Sequence, residues 1–83
     1  MNRKSARFVG LEICKSAKWV YDVWHQMGLV MKNSYNEWVL TQKGYDVGGK
    51  MSNNNYVPVP TFDLDNIQKL MAEFLEKNNN KDA

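Results

Sequence analysis

The stretch from Ser16 to Gly28, SAKWVYDVWHQMG, constrains the fold more than any other part of the chain, because its ends and its periodicity agree. Ser16 is a helix-capping residue, and Val20, Val23, Trp24 and Met27 recur at i, i+3, i+4 and i+7. Gly28 supplies the left-handed residue with which helices commonly end. The spacing predicts a helix over 16–27 with one apolar stripe against a core. Its opposite face carries Lys18, Tyr21, Asp22, His25 and Gln26, side chains that hydrogen-bond, stack or carry charge. Such a face suits a groove-reading surface or plain contact with water.

A chain of 83 residues holds one small domain with one core. A hydrophobic share of 43% with three Trp suits a folded globule. Residues 1–2 and a polar tail, 78–83, are expected to fray. The single cysteine, Cys14, excludes an internal disulfide and a cysteine-built zinc centre, and fits a reducing compartment. No run approaches the ~18–20 apolar residues of a membrane span. The basic N-terminus lacks the apolar segment of a secretion signal. The expectation is a cytoplasmic protein with no membrane partner.

Charge is unevenly divided. Residues 1–50 carry eight Lys/Arg against four Asp/Glu, while residues 51–83 carry three against five. The basic half contains the central helix, an arrangement that fits an electrostatic footprint for a polyanion.

Ahead of that helix, residues 3–13 read as a short helix opened by Ser5, with Phe8, Val9, Leu11 and Ile13 facing the core and Gly10 at a tight turn. The unit 5–28 is then a compact helix-turn-helix. Over 29–41, two apolar runs flank the polar tip 32–37, as a hairpin requires, with Leu29, Trp38 and Leu40 inward and the tip projecting and mobile. Thr41 begins a turn or two of helix that ends at Gly48-Gly49. The following Lys50 lacks the spacing and hydroxyl of a phosphate-binding loop. Pro58 and Pro60 make 48–62 an extended surface connection, with Tyr56, Val57 and Val59 packed down. The last helix, 63–77, is capped by Thr61 or Asp63. Its broad apolar face is formed by Leu64, Ile67, Leu70, Met71, Phe74 and Leu75, which cover the domain or meet a second copy.

Met27-Gly28-Leu29-Val30, followed at hairpin distance by Leu40-Thr41-Gln42-Lys43-Gly44, resembles the "GL(I/V) … LT-x-x-G" signature of winged helix-turn-helix proteins, most of all small phage-type regulator and antirepressor modules. The resemblance covers about residues 5–50. It implies an α+β fold, a winged helix-turn-helix with a two-stranded wing, to which 63–77 adds a C-terminal helix in place of the helix usual ahead of the motif. It further implies a transcriptional regulator, with helix 16–27 in the major groove of double-stranded DNA and wing tip 32–37 on the backbone.

On that reading Arg3, Lys4, Arg7, Lys15, Lys18, Lys32 and Lys50 contact phosphates. Ser16, Lys18, Tyr21, Asp22, His25 and Gln26 are the base-edge candidates. Trp24 and Trp38 are expected in the core. His25 has no second histidine for a metal site, and no nucleophile, base and orienting group come together in the sequence. Neither enzyme activity nor a cofactor or metal is expected. The alternative is a protein-interaction module, a phage-encoded inhibitor or adaptor, that uses the same scaffold without binding DNA.

Overall fold

The computed structural model describes residues 3–52 and 58–81, the last four by their backbone alone. Expectations for residues 1–2, for Tyr56 and Val57 and for 82–83 lie outside the described residues.

Two helices, α1 (Ala6–Ile13) and α2 (Ala17–Gln26), cross at a short turn. The Ser16 hydroxyl accepts the Trp19 N–H at 3.1 Å, a cap that stabilises a helix by about 1 kcal/mol. As the periodicity requires, α2 buries Val20, Val23 and Trp24, with Met27 half-buried. Gly28 takes the left-handed conformation, at φ +80°.

The first helix departs from expectation. Phe8 is 52% exposed and Leu11 67%, while Ala6, Val9 and Gly10 are buried. The cause is a close approach: a Cβ on Gly10 would collide with the Lys15 carbonyl oxygen, so small residues make the contact and the buried stripe runs through 6, 9, 10 and 13. Gly10 therefore lies inside α1, and the turn falls at Cys14, whose φ is +59°. The Lys15 N–H closes it on the Gly10 carbonyl at 2.8 Å.

Strands β2 (Val30–Lys32) and β3 (Trp38–Leu40) form an antiparallel hairpin pairing Val30 with Leu40 and Lys32 with Trp38. Leu29, Val30 and Leu40 are buried, and Trp38 is half-buried. The tip projects, with Tyr35 81% exposed. Its backbone is tied by the Asn33 side chain, whose Oδ1 accepts the N–H groups of Tyr35 and Glu37 at 2.9 and 3.0 Å. Next, α3 (Gln42–Asp46) is capped by Thr41, whose hydroxyl accepts the Gly44 N–H at 3.1 Å.

The supposed connection over 48–62 holds two strands, β4 (Lys50–Ser52) and β5 (Val59–Asp63). With β1 (Arg3–Ser5), whose Arg3 and Lys4 were read as the start of the first helix, they form an antiparallel sheet in the order β1-β5-β4. Ser5 and Lys50 both pair with Thr61, from opposite sides. The Thr61 hydroxyl adds a bond to the Lys50 carbonyl at 2.7 Å. Pro60 lies opposite Met51 of β4 and outside the stretch of β5 paired with β1, which begins at Thr61. Phe62 is fully buried and meets Trp24 edge-on, ring centres 4.8 Å apart.

From β5 the chain enters α4 (Leu64–Lys81), where Asp63 Oδ2 accepts the Asn66 N–H at 3.2 Å. Ile67 and Met71 are buried, and the Trp24 indole N–H donates to the Met71 sulfur at 3.3 Å. Leu64, Leu70, Phe74 and Leu75 are half-buried against the same core. Of the two expected uses of this face, covering the domain and meeting a second copy, the structure shows the first, and Ile67 and Met71 are not free for a partner. The helix also runs past 77 to Lys81, through most of the expected tail.

The result is a small α+β domain with four helices and small antiparallel sheets among the described residues. No helix among them is long and apolar enough to cross a membrane.

Candidate nucleic-acid interface

The flank of α2 that carries Ala17 and Tyr21 opens onto a cleft of about 620 Å³. One wall is β1 and the first turns of α1, with Arg3, Lys4, Arg7 and Phe8; the other is the β4–β5 edge, with Lys50 and Met51. The sheet brings these cations together, since Ser5 and Lys50 share Thr61 as partner. No carboxylate stands among the described residues that line the cleft. Like charges held on low-dielectric walls focus a positive potential into the space between them. Arg3 is anchored, its Nη1 donating to the Gly48 carbonyl at 2.8 Å. The Lys4 ammonium lies 5.5 Å from the Phe8 ring centre.

Tyr21 faces this cleft but is not a free reader of bases. Its ring stacks on Trp38 of the hairpin, with centres 5.1 Å apart and planes 5° from parallel, and meets Trp24 edge-on at 5.8 Å. Burial raises its phenol pKa above the usual value. The Lys32 ammonium lies 5.1 Å from the centre of Trp38, and the His25 ring approaches the same indole at 5.7 Å. Trp38, expected as core, is the hub of a bracket that fixes the hairpin to α2. Tyr21 accordingly packs the hairpin against α2.

The other expected contacts divide. The Ser16 hydroxyl is occupied as a cap. Lys18, Asp22 and His25 stay exposed on the outer face of α2, with Lys18 Nζ 3.7 Å from Asp22 Oδ2. Solvent screens that pair, which is worth little to stability. Lys15 and Gln26 fall on the opposite flank: the Lys15 ammonium sits 5.2 Å from the Trp19 ring centre, and Gln26 lies near Met27 and Phe74 of the α4 side. The structure thus gathers Arg3, Lys4, Arg7 and Lys50 with Tyr21, and Lys32 with His25, but leaves Lys15, Ser16 and Gln26 out.

Sequence reasoning missed Phe8 and Met51 in the cleft lining, whereas the exposed Tyr35 lies in the hairpin tip expected over 32–37. Met51 reaches the cleft through the β4–β5 pairing and Phe8 through an unexpected helix face. Compared with known proteins, the chain matches no family model, no curated protein and no solved structure.

Proposed function

We propose that the protein is a small DNA-binding module of winged helix-turn-helix type that acts as a transcriptional regulator of the phage kind. The exposed face of α2, with Lys18, Asp22 and His25, enters the major groove. The β2–β3 hairpin is the wing, carrying Lys32 and Tyr35 to the backbone. Phosphates of the flanking strand are held by Lys4, Arg7 and Lys50. The observation that carries the reading is the cleft beside α2, lined by four cationic side chains and no carboxylate among the described residues.

Titrating fluorescent random-sequence duplex DNA at low and moderate salt tests it. If Lys4, Arg7, Lys32 and Lys50 each neutralise one phosphate, log K falls with log salt at a slope of about −3 to −4. The Arg7→Ala, Lys50→Ala double variant reduces the steepness by about 2 and weakens binding about tenfold. Absence of binding even at low salt sinks this reading and turns attention to a protein partner. Phe8 and Leu11, exposed side by side on α1, favour that second reading.

A further inference from the structure

The flank of α2 turned away from the cleft borders a second concavity of about 490 Å³, between the α1–α2 turn and α4. Ile13, Trp19, Met71 and Leu75 make its walls almost wholly apolar. Lys15 and Gln68 are its polar members, and no carboxylate stands among the described residues that line it. Lys15 is exposed, and its ammonium is held near the Trp19 face, at 5.2 Å from the ring centre. Met71 in the wall is joined to the core through the Trp24 indole bond. Size, an apolar lining and one or two convergent polar groups are what a small-molecule site requires.

From this arrangement we infer that the groove binds a small amphipathic carboxylate, an apolar chain or ring system with one acidic head. The apolar body lies along Ile13, Trp19 and Leu75, and the carboxylate meets the Lys15 ammonium. Charge complementarity selects this occupant: a neutral hydrophobe leaves the cation unused, and a cation is repelled by it. The inference concerns a different flank of α2 and does not depend on DNA binding.

Calorimetric titration of the full chain with decanoate, below its micelle-forming concentration, against decan-1-ol decides the matter. Decanoate is expected to bind saturably at one site, and decanol about fivefold more weakly, the scale of one exposed ion pair. Lys15→Met, which keeps the apolar stem, brings decanoate down to the level of decanol. Ala72→Glu, at an exposed groove position on α4, abolishes decanoate binding while circular dichroism shows the fold retained. Equal affinity for acid and alcohol overturns the inference, as does binding that survives Ala72→Glu. It is equally overturned by attachment to anionic lipid vesicles without binding of free decanoate. A dimer in sedimentation that Ala72→Glu disperses overturns it too, because a second copy then covers the groove.

Discussion

The two flanks of α2 are built on the same core residue and have opposite chemistry. On one side Trp24 supports Tyr21, beside a cleft walled by cations. On the other its indole N–H holds Met71, in the wall of an apolar groove. The cationic side is assembled by non-local strand pairing and an aromatic stack, the apolar side by the α1–α2 turn facing α4. A single helix can thus present a cationic wall and a hydrophobic wall because neighbours, more than its own sequence, decide what each flank faces.

Trp24→Ala strikes both flanks at once, since Trp24 touches Tyr21, Phe62 and Met71. A loss of about 3–5 kcal/mol in urea unfolding is expected. A loss below about 1 kcal/mol would mean that the flanks do not share this support.

The contrast is sharpened by pairing the Arg7→Ala, Lys50→Ala variant with Lys15→Ala. The first weakens duplex binding about tenfold. The second, across α2 and away from the cleft, changes it by no more than about twofold through screened charge alone. Equal losses would break the distinction between flanks. Both variants should unfold within about 0.5 kcal/mol of the parent, because the changed side chains are surface cations.

Tyr21 ties the cleft flank to pH. Its native phenol pKa is raised by burial, so the neutral form is favoured in the folded state. Its stabilising contribution is complete below the unfolded value, near 10, and is lost as pH rises through the higher native value. Thermal unfolding should show a small decline above about pH 10 that Tyr21→Phe reduces. An unchanged decline in the Phe variant would assign it to other groups.

The smallest effect belongs to Asp22→Asn. Its exposed pair with Lys18 contributes about 0.3–0.5 kcal/mol at most, so unfolding hardly changes. Duplex affinity rises about twofold as a carboxylate leaves the exposed face. Weaker binding would indicate that Asp22 itself accepts from a base.

What the sequence made legible was local. Ser16, the α2 stripe, the hairpin and the Thr41 cap each depend on residues within a few positions of one another, and the structure has them all. The β1-β5-β4 sheet was not legible. Its strands are three to five residues long, β1 pairs with β5 across most of the chain, and β5 includes a proline, which alone argues for a non-strand segment. In α1 Val9 and Ile13 face the core as expected, but Phe8 and Leu11 point outward because the turn into α2 comes too close to Gly10 for a Cβ, a demand no hydropathy pattern announces. The same limit applies to the site. The cations of the cleft were identifiable one by one, but their convergence depends on the sheet, and the role of Tyr21 depends on Trp38 reaching it from the hairpin.

The pairing of Arg3 with Asp63 also sets a timetable for the emerging chain. Helices α1 and α2 and the hairpin lie within the first forty residues, so they can meet one another before β5 is synthesised. Strand β1 must wait for β5, because loop closure over so long a span is slow and cannot begin before the partner is synthesised. Lys50 is held opposite Ser5 only through Thr61. The cationic wall is therefore completed late, after α2 and the hairpin beside it have been synthesised.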